Sequence, residues 1–236
     1  MLYALPKKIQ LTPSQAKWSI QSPRSVLILL NLNALEQLSG WAESDLAVHL
    51  QRLLKKAQAL EIPVLSINSD QPEKGLMALG QYLAADSQLV LAGQMDGLFN
   101  QVLRHVHSVT EQVCVVNDAV LASSAEQHIQ WIDSMSQQQI HHMNTYSLTR
   151  LWSLSAPAEQ ILSEKGILLA VAEQLDLHPM EIDLATDLRE YGLDSVAMVT
   201  LIGLWRANGA NISYEDFLQH PTLQALLQQL SLHPQH

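Results

Sequence analysis

The hydroxyl of Ser195 stands where a loop gives way to an apolar run, in DLREYGLDSVAMVTLIGLW (187–205). Gly192 can take a backbone geometry that other residues resist, which allows a sharp turn just before it. Asp194 and Ser195 then fall at a helix N-terminus, where both residue types are favoured caps. Capping is one reading of the pair. The other is a serine modified by a separate enzyme, its hydroxyl exposed while the apolar residues behind it are buried. Leu193, Val196 and Met198 place apolar side chains around the junction, a surface that a partner can use. A nucleophile is not suggested, because no histidine is close in sequence and there is no G-x-S-x-G elbow. A base supplied from elsewhere in the fold stays open.

Other groups with chemical potential are fewer. The single cysteine, Cys114, sits inside VCVV and reads as a small core residue. His105 and His107 are two apart on an expected helix and point in different directions. His141 and His142 are adjacent, which on a strand puts them on opposite faces. Neither pair, nor His128, has a carboxylate that completes a recognisable zinc arrangement, so no metal site is expected.

The elements that must hold these residues change character along the chain. Apolar runs at 24–32, 62–69, 87–93 and 111–119 read as strands, with a final one at 140–145. Helical spacing appears at 43–60, 97–108 and 124–135 between them. Apolar strands joined by helices favour a mainly parallel sheet covered on both faces. The stretch 69–87 patterns as neither helix nor strand, so an abridged middle of the sheet is expected. After Trp152 the pattern becomes helical. SLSAPAEQ (153–160) reads as a linker or helix start, followed by helices over 157–175 and 195–209, a short helical turn at 212–220, and a last helix opened by Pro221. A long polar, acidic loop separates the first two of these.

The chain has 236 residues, 47% of them hydrophobic, enough for an α/β domain followed by a small one. The net charge of -10 is uneven: residues 156–236 hold 11 acidic and 3 basic side chains, whereas residues 1–155 hold 12 and 10. That excess disfavours nucleic acid and anionic lipid and favours partners with a basic docking face. The opening residues lack a secretion-signal pattern, no apolar run approaches bilayer length, and one cysteine cannot form an internal disulfide. A cytoplasmic protein is expected.

GLDS (192–195), with DLREY before it and SVAMVTLIGLWRANG and FLQHPTLQAL (217–226) after it, closely resembles the peptidyl and aryl carrier proteins of nonribosomal peptide synthesis. The resemblance covers about 157–231 and includes Pro221-Thr222 at the start of the last helix. It implies a four-helix bundle in which Ser195 accepts 4'-phosphopantetheine from coenzyme A, with Asp194 supporting. It also implies a phosphopantetheinyl transferase as partner, together with an aryl-AMP ligase (the adenylation enzyme) and a condensation or cyclisation domain.

A second resemblance concerns the remainder. YALP (3–6), PRSVLILLNLNAL (23–35), LVLAGQMDGLFNQVL (89–103) and VCVVNDAVLASSAEQHIQWI (113–132) are similar to the isochorismatase part of bifunctional isochorismatase–aryl carrier proteins of catechol siderophore assembly. The order of the chain agrees, giving a degenerate isochorismatase-like domain at 1–152 and a carrier domain at 153–236. Hydrolases of that family use an acid, a lysine and a cysteine. The matching positions here are Asn31 for the acid and Asn100 for the cysteine, and the lysine stretch falls in the shortened region between Asn68 and Ser87. A carboxamide cannot accept a proton as a carboxylate does. The resemblance therefore implies a silent N-terminal domain and no catalytic residues. The expected function is an aryl carrier in siderophore synthesis, with 2,3-dihydroxybenzoate or salicylate as cargo. An active isochorismatase-type hydrolase and a non-catalytic adaptor without the arm remain as alternatives, and a homodimer is left open.

Overall fold

Strand β1 (Ser25–Leu30) is buried along its whole length, as a central strand covered on both faces must be. It lies between β2 (Val64–Ile67) and β3 (Gln88–Gln94), and β4 (Val113–Leu121) and β5 (His141–Met143) complete a parallel sheet of order β2-β1-β3-β4-β5. The computed structural model describes residues 2–3, 17–138 and 140–230. The chain divides into two units, Met1–Trp152 and Ser153–His236. Of the YALP stretch only Tyr3 is described, and Ser231, the expected end of the last helix, lies outside the described residues.

Side chains alternate across the sheet. Val26, Ile28, Leu30, Leu89, Leu91, Val113 and Val115 share one core with α4 (Gly97–His107) and α5 (Ala125–Gln137). Leu27, Leu29, Val90 and Cys114 fill the opposite face, where α2 (Asp45–Ala59) packs against β4. The short α1 (Leu32–Glu36) follows β1 directly. Ser44, Asp96 and Ser124 cap α2, α4 and α5 through side-chain oxygens that accept backbone N–H groups.

The stretch after β2 departs from expectation. It holds a helix, α3 (Pro72–Leu79), and a 3-10 turn, Gly80–Tyr82. The helix contains Gly75 because it lies on Ile67, where an added Cβ would come within 2.5 Å of the Ile67 side chain. Nor is the sheet's middle abridged. The short connection follows β2, which is an edge strand, and the central pair β1 and β3 is intact.

Helix α6 (Thr145–Ser155) was not expected, and the division between the units falls inside it. The expected linker at 153–160 is accordingly largely helical. The expected single helix over 157–175 is two: α7 (Ala158–Ile161) and α8 (Glu164–Leu175), separated by Ser163, which caps α8. Gly166 permits that junction, since a Cβ there would meet the Gln160 carbonyl oxygen at 2.1 Å. The remaining helices are α9 (Ser195–Ala207), α10 (Tyr214–Gln219) and α11 (Leu223–Leu230). Ile167 and Val171 of α8 and Met198, Leu201, Trp205, Phe217, Leu223 and Leu226 of these helices are among the buried residues of the unit. A mixed α/β unit with a parallel sheet is thus followed by a helical unit.

Candidate functional site

The loop between α8 and α9 is tied down by its own polar side chains. Asp183 accepts the N–H groups of Ala185 (2.8 Å) and Thr186 (3.1 Å), and these bonds hold its carboxyl below the ordinary 3.8. The Tyr191 hydroxyl accepts from Asp183 N–H at 3.0 Å. Arg189 Nε donates to Asp187 at 2.9 Å, which lowers the Asp187 carboxyl as well. The backbone joins the end of the bundle through Leu188 N–H to the Pro221 carbonyl and an isolated bridge between Asp187 and Thr222. Pro221-Thr222 therefore anchors the loop that leads to the serine. Gly192, at φ 96°, turns the chain; an added Cβ there would meet nothing, so backbone angle rather than crowding selects glycine.

Asp194 is the N-cap of α9, and its carboxylate accepts Ala197 N–H at 2.8 Å. Ser195 is the first helical residue. It is exposed, and among the described residues its hydroxyl makes no hydrogen bond. The two residues do not share the capping role. Leu193 and Met198 are buried, so they belong to the core rather than to a partner surface, whereas Val196 and Val199 are exposed. A phosphate ester fits at Ser195: the oxygen is free, there is open solvent around it, and the first turn of a helix of 13 residues supplies N–H groups and a positive dipole end.

The positions compared with hydrolase residues lie at the other end of the chain's chemistry. Strand order reverses between β1 and β3, and the carboxyl ends of that pair are where open α/β sheets receive ligands. Asn31 follows β1 there with φ 53°, is 3% exposed, and is committed on both sides. Its Nδ2 donates to Asp96 Oδ2 at 2.7 Å and its Oδ1 accepts Ser69 N–H at 2.7 Å. Asn100 Nδ2 donates to the Asp96 carbonyl at 3.1 Å. Gly93 presses against β1, where an added Cβ would lie 2.2 Å from the Leu30 carbonyl oxygen. Asp96 was not singled out in the sequence; the N-terminal Asp-Gly of the helix was its only signal.

Strand β4 bulges after Val115, so that the register with β3 shifts between Leu91 and Gly93. The bulge offers the Asn117 carbonyl to His128 Nε2 (2.7 Å) and the Asp118 carbonyl to His49 Nδ1 (2.7 Å). Because His128 Nε2 donates, its Nδ1 accepts from the Tyr3 hydroxyl (2.8 Å), which itself accepts Ala122 N–H (2.9 Å). Burial pushes His128 below the ordinary 6.5. Asp118 accepts both the N–H and the hydroxyl of Thr145 at 2.7 Å and so starts α6. Burial raises the Cys114 thiol to about 12, leaving no thiolate at neutral pH. Among the described residues no three His, Cys, Asp or Glu side chains lie close enough to hold a metal ion, and no helix is long and apolar enough to cross a membrane.

Two comparisons with known proteins bear on these sites. Residues 165–230 match the family described as phosphopantetheine attachment site. An isochorismatase of Bacillus subtilis (strain 168) is 31% identical over 72 residues, which are 30% of this chain and 23% of that protein. The matched stretch thus spans less than a quarter of the relative. The chain carries a phosphopantetheine-binding carrier domain, and such a domain carries a covalently attached 4'-phosphopantetheine group. The two matches together are consistent with a protein of isochorismatase–carrier type.

Proposed function

We propose that Ser195 is the attachment point of the arm and that the chain, with a carrier domain at 153–236, is an aryl carrier protein. The observation that carries this reading is the division of labour at the start of α9: Asp194 takes the cap, and the Ser195 hydroxyl is left exposed and uncommitted. Loading forms a bond from Ser195 Oγ to the phosphorus next to the pantetheine of coenzyme A and breaks the pyrophosphate linkage. Adenosine 3',5'-bisphosphate leaves, and the hydroxyl proton passes to a base of the phosphopantetheinyl transferase. The arm supplies a thiol that holds an acyl group as a thioester, and Ser195 acts only as its tether. Tethering substitutes a high local concentration for free diffusion.

The cargo is an aryl acid, 2,3-dihydroxybenzoate or salicylate, attached by an aryl-AMP ligase and handed to a condensation or cyclisation domain of siderophore synthesis. Support for this finer reading is the likeness to an isochorismatase together with a carrier domain in one chain. The unit 1–152 is a catalytically silent isochorismatase-like domain. This reading is supported by the Asn31 amide in the acid's place, bonded to the Asp96 carboxylate, and by the Asn100 amide in the cysteine's place, bonded to the Asp96 carbonyl.

Intact mass after incubation with coenzyme A and a broad-specificity transferase tests the tether. One phosphopantetheinyl adduct is expected, absent from Ser195→Ala; no adduct on folded protein rejects the assignment. Subsequent loading by aryl-AMP ligases with a panel of acids tests the cargo. Pyruvate release from isochorismate by the full chain would reject the silent domain.

A further inference from the structure

Strand β2 ends one side of the sheet, and among the described residues its outer edge pairs with no strand. The ladder on its inner side decides which backbone groups that edge offers. Leu27 N–H donates to the Pro63 carbonyl and Asn31 N–H to the Ile67 carbonyl, both at 2.9 Å. Alternate residues of a strand turn their backbone groups to the same side, so Pro63, Leu65 and Ile67 address β1. Val64 and Ser66 therefore direct N–H and C=O outward, and both residues are exposed.

An open edge is ordinarily blunted by a lysine, a proline or a bulge. Here residues 62–69 hold no charged side chain, and the register with β1 runs without a shift. Pro63 is turned toward β1, so its missing N–H takes nothing from the outer edge. The strand's length of four residues is its one restraint on pairing. Leu65, packed against the core shared with α4 and α5, is only partly buried.

We propose that this edge is a self-association site, at which β2 pairs antiparallel with β2 of a second copy of this chain and joins the two five-stranded sheets into one. The occupant follows from self-complementarity about a two-fold axis. Two outward residues spaced two apart match their own reversed image. Val64 of each copy faces Ser66 of the other, and each such pair exchanges both of its N–H···O bonds. Leu65 falls on the axis opposite its own copy, in the closer, non-hydrogen-bonded kind of pair, with Cα atoms about 4.5 Å apart. That contact carries the core of one sheet into the next. Charge permits the approach: residues 1–155 hold 12 acidic and 10 basic side chains, whereas the 11 and 3 of residues 156–236 repel a second copy of themselves. The inference is independent of the role of Ser195.

Sedimentation of the full chain across a concentration series tests the association, with amide exchange at Val64 and Ser66 as a second reading. A dimer half-formed between roughly 10 and 100 µM is expected, as suits a small interface. The Val64 and Ser66 N–H groups should exchange more slowly as it forms. Ser66→Pro removes an outward N–H and no bond to β1, and Val64→Lys sets a charge on an exposed position. Each is expected to raise the dissociation constant at least about tenfold with an unchanged melting midpoint at low concentration. Leu65→Cys is expected to give a disulfide-linked dimer on mild oxidation, since its Cα spacing suits the bond, whereas Val64→Cys falls beyond about 7 Å from its own copy and should not. Cys114 is buried and does not compete. A wild type that stays monomeric overturns the proposal; if its Val64 and Ser66 N–H groups exchange slowly all the same, the edge belongs to another segment of this chain. A dimer undiminished by both Val64→Lys and Ser66→Pro overturns it too, by placing the contact elsewhere. Cross-linking of Val64→Cys in preference to Leu65→Cys contradicts the register.

Discussion

Asp194 accepts the Ala197 N–H and thereby fixes where α9 begins. Its replacement by alanine is expected to cost about 1 kcal/mol, read as a lower midpoint for the carrier unit in thermal melts. Asn at this position keeps the cap and is expected to restore most of that loss. If Asp194→Asn is as stable as the wild type but loads more slowly, the carboxylate also serves the transferase. At the other site, Asn31 joins Asp96 to Ser69. Asn31→Asp would restore the acid of the hydrolase pattern but set two carboxylates at hydrogen-bonding distance. Like charges so close cannot both ionise cheaply. The expected result is a loss of about 1–3 kcal/mol near neutral pH, partly recovered as pH falls into the carboxylate range, and no hydrolysis. Chemical denaturation at pH 8 and pH 5 checks the sign.

Elements with a repeating apolar signal were legible. The four main strands appear within a few residues of their expected places because buried parallel strands are continuous apolar runs. The elements that escaped depend on distant partners. Helix α6 begins where Asp118, 27 residues earlier, accepts the Thr145 N–H and hydroxyl. Helix α3 contains a glycine whose reason is Ile67 on β2. The break between α7 and α8 turns on a close approach at Gly166. In the site itself, Gly192, Asp194 and Ser195 could be placed from sequence, but which of the last two is the cap is a matter of one hydrogen bond. The bond between Asn31 and Asp96 at the ends of β1 and β3 was invisible, since the two residues are 65 apart in sequence. Gly93→Ala is expected to destabilise the α/β unit by at least about 3 kcal/mol, because it adds a Cβ at φ 110° against the Leu30 carbonyl. Denaturant melts followed by Trp fluorescence will show the loss.

The two units should respond to acid in different ranges. Burial depresses His128 and His141 below 6.5, so the unfolded chain takes up protons on these groups first. Stability of the α/β unit is therefore full above 6.5 and falls as pH drops below it toward their folded values. In the carrier unit, Asp183, Asp187 and Asp216 are held below 3.8 by hydrogen bonds. What they contribute is present above 3.8 and disappears only as pH falls through their depressed values. Hydrogen exchange measured from pH 7 to pH 3 is expected to show the α/β unit losing protection first. Simultaneous loss, or earlier loss in the carrier, would contradict these assignments.

Because Ser195 contributes no hydrogen bond to the cap or the core, esterifying it removes nothing that the fold uses. Bare and armed forms should then be about equally durable, and neither proteolysis nor chaperones can sort one from the other. If Ser195 is the tether, as proposed, a bare copy persists as a well-formed decoy with the same fold as an armed one. Throughput in the cell would accordingly depend on the fraction of copies armed, with each idle copy acting as a competitive inhibitor of its productive neighbours.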